Sequence, residues 1–311
     1  MTDNETLAYL AGIYEAEGCS VISRSIKLSS KYRVTYQSFI VVRMSDKAPI
    51  ELYYKYFGGS IGTEKRNKNR KTLHRWYISG KQAATAANKL LPFILTNRKK
   101  QAIRCITEFS DTINMHRGST PLLLDEVTKR EMLYQKSKQL NARGKGANNS
   151  LSFNDIHIFD IAPNIRYLAG LYEGDGGATI SRTSKSYKCY LALSMSDAEC
   201  VKAFHNYFGG HLSIQEMPGN SKTQFICKTF GHHAAIIAEE LLPVVQIKRK
   251  RKVLGCIIDF AKTICERGIY QSKELKQHRK YLYQECAKYN ERTTCNYEAI
   301  KANNTLQLTF L

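Results

Sequence analysis

Residues 10–18 read LAGIYEAEG and residues 168–176 read LAGLYEGDG, so a nine-residue segment returns 158 positions later with small changes. In the first copy, Leu7, Leu10 and Tyr14 have helical spacing, and in both copies a glycine stands where helices commonly end. A segment that recurs in this way is typical of a duplicated structural unit.

Further motifs return in the same order along the chain. The motifs MSD (44–46), YFGG (56–59) and LLP (90–92) all return 151 positions later. The fall in offset from 158 to 151 means that the segment between the first two motifs is seven residues shorter in the second copy. We therefore predict one domain present twice.

The segment between the copies is small, polar and rich in glycine, which is typical of a flexible connection. We predict an N-terminal repeat over residues 1–141, a linker over 142–162, and a C-terminal repeat with a tail over 163–311. Within the first repeat, the pattern predicts a helix ending near Gly18, a hairpin over 19–28 and 33–43, a helix over 49–57, a second hairpin over 60–66 and 72–79, and helices over 81–91, 98–113 and 122–141. The fold class is accordingly α+β.

The charge of the chain indicates the kind of partner. Its 311 residues carry 47 Lys and Arg against 27 Asp and Glu, a formal net charge of +20. Such a surplus favours a polyanion, either nucleic acid or an anionic membrane surface. The sequence contains no run of about 18 apolar residues, so no helix is expected to span a membrane. The absence of a signal-peptide pattern and nine scattered cysteines without a CxxC pair predict an intracellular protein with reduced thiols.

The repeated motif also predicts where the chemistry lies. Small residues on one face of each helix would let two helix backbones pack closely: Ala11, Gly12 and Ala16 in the first copy, and Ala169, Gly170 and Gly174 in the second. Such packing would bring Glu17 and Asp175 together at helix ends that already carry partial negative charge. Two carboxylates there repel each other unless a cation lies between them, and oxygen ligands suit Mg²⁺. The alternative is a duplicated structural helix with exposed acids at its end.

These two motifs resemble the signature helices of the LAGLIDADG homing endonucleases in their single-chain, two-repeat form. The resemblance extends over most of residues 5–290 and implies two αββαββα repeats. These would pack as a pseudo-dimer through the signature helices, with their antiparallel sheets forming a saddle for DNA. It further implies a monomer with pseudo-twofold symmetry that acts in intron homing. Such an enzyme cuts both DNA strands across the minor groove and leaves short 3′ overhangs.

The resemblance also implies residue roles. Glu17 and Asp175, with the backbone carbonyls of Ala16 and Gly174, would hold Mg²⁺, with Mn²⁺ as a substitute. Glu15 and Glu173 stand at the earlier acidic position, where a structural role is expected.

The family carries a basic residue near the metals, in the run that follows the LLP motif. Counting from each proline indicates Asn97 and Lys248, whereas counting back from Gln101 indicates Arg98. We predict Arg98 and Lys248 as catalytic residues. Asp46 and Asp197 are predicted to cap the helices that follow them.

The predicted sheets supply candidate DNA contacts, because Arg and Gln can recognise base edges and Lys more often meets phosphate. These candidates are Arg24, Lys27, Arg33, Arg43, Lys65, Arg66, Lys68, Arg70, Arg75, Arg182, Lys185, Lys188, Gln215, Lys222, Gln224 and Lys228. The shorter first hairpin of the second repeat predicts that the two halves of the DNA site are contacted unequally.

Three functions remain open on the sequence. The first is a site-specific, metal-dependent endonuclease acting on double-stranded DNA. The second is a maturase that assists splicing of intron RNA, since the same fold can serve both purposes. The third is a DNA-binding regulator that does not cleave, which the two acids Glu17 and Asp175 disfavour. Each is compatible with a bacterial or phage cytoplasm or an organelle matrix.

Overall fold

A computed structural model describes residues 2–26, 34–65, 71–114, 124–142, 153, 163–183, 186–264 and 272–290, and the statements below concern these residues. The predicted linker over 142–162 and the C-terminal tail lie almost wholly outside them.

The first repeat begins with a helix that runs directly into a hairpin. Its elements are α1 (Asp3–Glu17), β1 (Gly18–Ile26), β2 (Val34–Met44), α2 (Lys47–Phe57), β3 (Ser60–Glu64), β4 (Leu73–Ser79), α3 (Gly80–Leu90), a 3₁₀ turn (Leu91–Phe93), α4 (Asn97–Asn114) and α5 (Leu124–Leu140). The α1 helix starts with a capping box in which Thr2 and Glu5 satisfy each other's backbone amide.

The second repeat follows the same order. Its elements are α6 (Ile165–Asp175), β5 (Gly176–Arg182), β6 (Tyr187–Met195), α7 (Ala198–Phe208), β7 (His211–Gln215), β8 (Gln224–Phe230), α8 (Gly231–Leu241), α9 (Lys248–Ala261) and α10 (Lys273–Asn290). The α+β architecture predicted from the sequence is confirmed. The positive φ angles of Gly58 (71°) and Gly209 (72°) explain why glycine ends α2 and α7.

Each repeat holds one antiparallel four-stranded sheet, with the strand orders β1-β2-β4-β3 and β5-β6-β8-β7. One face of each sheet packs on helices, and its residues, such as Ile22, Ile40 and Val42, are buried. The other face is partly exposed. The first hairpin of the second repeat is shorter as predicted, with strands of 7 and 9 residues against 9 and 11 in the first.

The two repeats meet through α1 and α6, which form the seam of the molecule. A Cβ atom on Gly12 would collide with the carbonyl oxygen of Tyr167, and one on Gly170 would collide with that of Tyr9. A Cβ on Gly174 would likewise collide with the Cβ of Ala16. The predicted pairing of the signature helices through small residues is therefore confirmed.

Hydropathy bears on the membrane alternative. Among the helices of the described residues, none combines the length and apolar character that a membrane span requires.

Candidate active site at the seam

Glu17 and Asp175 are the last residues of α1 and α6, and the close packing of these helices delivers both carboxyl groups to one end of the seam. Both side chains reach the protein surface although protein surrounds their carboxyl groups closely, and neither accepts a hydrogen bond from, or forms an ion pair with, the described residues. These two acids lie together as predicted.

The surroundings of the two acids disfavour their ionised forms. Desolvation by the surrounding protein, followed by repulsion from Asp175, raises the pKa of Glu17 to about 7, although Lys250 and Lys99 oppose the shift. Desolvation likewise raises the pKa of Asp175 to about 6, with the same two lysines opposing it. A cation bound between these carboxylates would relieve both costs.

Glu15 and Glu173 lie only two residues before these acids but are buried and fully engaged. Glu15 accepts hydrogen bonds from the backbone amides of Leu95 (2.6 Å) and Thr96 (2.9 Å) and from the Thr96 hydroxyl (2.7 Å). Glu173 accepts hydrogen bonds from the backbone amide of Ile247 and from the Tyr9 hydroxyl of the other repeat. This geometry matches the structural role predicted for both acids.

Two buried lysines hold the ends of the signature helices. The Nζ of Lys99 donates hydrogen bonds to the carbonyls of Tyr14 (2.7 Å), Glu15 and Gly18 (3.2 Å). The Nζ of Lys250 donates to the carbonyls of Tyr172 (2.7 Å) and Gly176 (2.8 Å). Burial lowers the pKa of Lys250 to about 8, against the opposing effect of nearby acids that include Asp175.

The structure places the two predicted basic residues in different surroundings. Lys248 is the exposed first residue of α9, and Arg98 forms an ion pair with Asp197. The lysines that lie beside the acids are Lys99 and Lys250, which the count from the prolines missed. Two signals could have found them: the offset of 151 pairs them with each other, and Lys250 has helical spacing with the buried apolar residues of α9.

Two of the ion pairs that cross the seam are related by the pseudo-twofold symmetry. Arg98 Nε and Nη2 donate to the two carboxylate oxygens of Asp197 at 3.0 and 2.6 Å. Arg249 Nε and Nη2 donate to Asp46 at 2.9 and 2.5 Å. Asp46 and Asp197 occupy the predicted N-cap positions of α2 and α7, but their side chains make no capping hydrogen bond because the arginines engage them.

The acids lie between two concave pockets, one on each side of the pseudo-twofold axis. The larger, of about 680 Å³, is lined by residues that include Glu17, Asp175, Arg43, Lys71 and Lys250. The smaller, of about 450 Å³, includes Asp175, Arg43, Lys99, Lys222 and Arg98. Each pocket therefore combines an acid with several cations, and Arg43 belongs to both.

The predicted DNA contacts divide between the two faces of the sheets. Lys222 lines a pocket, and Lys65 directly follows β3. The alternation of buried and accessible residues puts the following on the partly exposed faces: Arg43, Arg75, Lys188, Gln215, Gln224 and Lys228. The remaining candidates Lys27, Arg33, Arg66, Lys68, Arg70 and Lys185 lie outside the described residues.

Arg24 and Arg182 do not lie on the predicted face. In β1, Arg24 alternates in step with the buried Ser20 and Ile22 and so lies on the same face as they do. It forms an ion pair with Glu131 of α5 (3.5 Å). Arg182, at the end of β5, lies on the same face of the strand as the buried Ile180, two residues before it. Their side chains therefore start from the helix-packed face of each sheet.

The donor set fits a divalent cation whose remaining ligands come from outside the protein. Within the described residues there is no group of three or more His, Cys, Asp and Glu side chains that could hold a metal alone. The carboxylates of Glu17 and Asp175, to which none of the described residues donates a hydrogen bond, provide oxygen ligands of the kind that Mg²⁺ prefers. Lys99 and Lys250 bond carbonyls neighbouring those of Ala16 and Gly174 rather than these two. Water and phosphate oxygens would complete the coordination.

Comparisons with known proteins bear on the fold. No family model matches the chain, and no curated protein matches it. Among solved structures, the LAGLIDADG homing endonuclease I-GzeII in complex with its DNA target is 17% identical, with a TM-score of 0.62, covering 89% of this chain and 97% of that one.

Two further structures agree. I-SmaMI, bound to an uncleaved DNA target with calcium ions, is 14% identical, covers 89% of this chain and 97% of its own, and has a TM-score of 0.63. The LAGLIDADG homing endonuclease I-LtrWI, bound to target DNA, is 14% identical, covers 91% and 98%, and also has a TM-score of 0.63. The resemblance predicted from the repeated motif is confirmed at the level of the fold: this chain has the fold of the LAGLIDADG homing endonucleases, with both repeats in one polypeptide.

Proposed function

We propose that the chain is a site-specific endonuclease that cuts both strands of double-stranded DNA with the help of Mg²⁺. The observation that carries this proposal is the pair of carboxyl groups of Glu17 and Asp175, which converge at the two cationic pockets and accept no hydrogen bond from the described residues. The DNA-bound structures with the same fold support a DNA substrate.

In this proposal, Glu17 and Asp175 act as oxygen ligands for divalent cations, together with the carbonyls of Ala16 and Gly174. A bound Mg²⁺ would activate water and stabilise negative charge on the phosphate during hydrolysis. We assign the basic role at this site to Lys99 and Lys250 instead of Arg98 and Lys248, because both lysines act electrostatically on the two acids. Their ammonium groups fix the backbone that carries the acids and offset the negative charge of both carboxylates.

The two pockets suit two scissile phosphates, one from each strand. Lys71 and Lys222 occupy equivalent positions 151 residues apart and line opposite pockets, where their positive charge would attract phosphate. A cut across the minor groove with short 3′ overhangs, an action as a monomer and a role in intron homing complete the proposal, as the resemblance implies.

The proposal is tested with a plasmid that carries an intron-free copy of the host locus. We expect linear product in Mg²⁺ or Mn²⁺ and none in EDTA. Glu17→Gln and Asp175→Asn should abolish cleavage while DNA binding remains. Glu51→Gln is a matched control, because Glu51 is an exposed acid on α2.

The alternatives give different results in the same experiment. DNA binding without cleavage in either metal would contradict the endonuclease and favour the regulator. Stimulated splicing of the host intron RNA without any cut in DNA would favour the maturase instead.

A further inference from the structure

The outward face of the N-terminal sheet is apolar at its centre. Val21 of β1 pairs with Phe39 of β2, and Val41 of β2 pairs with Tyr77 of β4. We call these four residues the apolar strip. They alternate with buried residues of the same strands, so they lie on the side away from the helices, where each is partly exposed.

The same places in the C-terminal sheet hold different residues. There Thr179 pairs with Tyr190, and Ala192 pairs with Lys228, whose Nζ lies 3.8 Å from the centre of the Tyr190 ring. Because the second sheet folds in the same way with a more polar outward face, the fold itself does not require the apolar strip. The strip is a property of one repeat.

Charge and position indicate what the strip contacts. The next pair on the same face of β2 and β4 after Val41 and Tyr77 is Arg43 with Arg75. Arg43 lines both pockets beside the acids. The strip is therefore continuous with the cationic region in which the proposed function places the scissile phosphates. A molecule that spans the pockets and the strip must be anionic at one end and must present apolar groups at the other.

Resting on the proposed function, we infer that the apolar strip recognises thymine methyl groups in the major groove of the half-site bound by the N-terminal repeat. The thymine C5-methyl is the apolar group among the base edges of the major groove. The other edges present donors and acceptors, which an apolar side chain would desolvate without offering a partner.

The geometry of the strip also sets the spacing of the thymines. Residues i and i+2 on one face of a strand are about 6.7 Å apart. This distance corresponds to about two base-pair steps at 3.4 Å each. Thymines on either strand should therefore recur about two base pairs apart, on the side of the Arg43–Arg75 contact that is farther from the cut.

The test begins with selection of duplexes from a randomised DNA pool by the full chain in EDTA. Each selected duplex is then remade with deoxyuridine in place of thymidine in one half at a time, which removes only the methyl groups. We expect about a fourfold loss of affinity for each contacted methyl, from about 0.8 kcal/mol per buried carbon. This loss should be confined to one half, with less than about a twofold change in the other.

Variants assign that half to the N-terminal sheet. Val21→Thr with Val41→Ala installs the residues that stand at Thr179 and Ala192, at positions that are only partly buried, so the variant should fold. We expect it to lose the sensitivity to deoxyuridine. The control, Thr179→Ser in the other sheet, should keep it.

Two results would overturn the inference: deoxyuridine that changes affinity in neither half, or an undiminished effect in the Val21→Thr, Val41→Ala variant. Either result would leave the proposed endonuclease standing. A pool from which no sequence is enriched would overturn both the inference and the site-specific function on which it rests.

Discussion

The symmetry-related ion pairs Arg98–Asp197 and Arg249–Asp46 are expected to hold the two repeats in register across the seam, and Arg98 provides the sharpest test. Arg98→Met keeps much of the aliphatic length but removes the guanidinium that binds Asp197 through two hydrogen bonds of 3.0 and 2.6 Å. The Asp197 carboxylate, only 13% exposed, would then lose the partner that balances its burial. Burial alone would raise the pKa of Asp197, but the hydrogen bonds and charge of Arg98 hold it below its usual value.

The exposure of both partners sets the size of the effect. Exposed ion pairs contribute at most about 1 kcal/mol. Breaking a buried pair costs about 3–5 kcal/mol. With Arg98 27% exposed and Asp197 13% exposed, this pair lies between the two classes. We expect Arg98→Met to lower the free energy of unfolding by about 2 kcal/mol, with a coupling energy of similar size in the cycle with Asp197→Asn.

Urea unfolding of the wild type, both single variants and the double variant measures this coupling at neutral pH. Because the folded-state pKa of Asp197 is lowered, its contribution is present above the usual aspartate pKa and is lost as the pH falls through the lowered value. The exposed pair Lys47–Glu51 on α2 serves as the control, with an expected coupling of at most about 0.5 kcal/mol. A coupling at Arg98–Asp197 no larger than this control would refute the reasoning.

Three further predictions follow from the seam. Gly170→Ala should destabilise the protein by about 1–3 kcal/mol or more in urea unfolding, because the new Cβ meets backbone atoms of α1. The control, Gly255→Ala on α9, should stabilise the protein by up to about 1 kcal/mol, since no atom lies near the new Cβ. In EDTA, the raised pKa values of Glu17 (about 7) and Asp175 (about 6) mean that the folded state binds these protons more tightly than the unfolded state. Their contribution to stability should therefore fall as the pH rises from about 4 to about 7, and thermal melts of Glu17→Gln, Asp175→Asn should lack this component. Lys250→Met should convert the linear plasmid product into a nicked circle, because the other pocket keeps its own lysine, Lys99. Unchanged double-strand cleavage would contradict the role proposed for Lys250 beside the two acids.

The seam could be predicted from the sequence because its signal is local and occurs twice. Gly12 and Gly170 stand at matching places in two helices that end in an acid, and only a partner of the same shape explains both. The repeat alone therefore predicts the contact between α1 and α6. The ion pairs of Arg98 and Arg249 could not be predicted in this way, because each joins residues of different repeats that no sequence pattern connects.

The faces of the N-terminal sheet were harder to predict for a physical reason. Two-residue alternation identifies the buried face of a strand only where the other face is polar. In β1, the neighbours Val21 and Ile22 are both apolar although they point to opposite faces. The pattern is therefore ambiguous, and it predicts Arg24 on the face that the apolar strip occupies, whereas Arg24 lies on the opposite face.

The contrast between the two acids of each signature helix explains how one short motif serves structure and chemistry together. Glu15 and Glu173 are buried, and the amides that follow each LLP motif satisfy them, so their charge fixes the loops that lead to Lys99 and Lys250. Glu17 and Asp175 lie at the negative ends of the same helices, accept no hydrogen bond from the part of the chain that the structure describes, and have raised pKa values. The first pair thus positions the lysines that hold the backbone beneath the second pair. In each helix, one acid is hydrogen-bonded and fixes the structure, while the next accepts no hydrogen bond from the described residues. This arrangement is expected where an external cation, rather than the protein, balances the negative charge of the second acid.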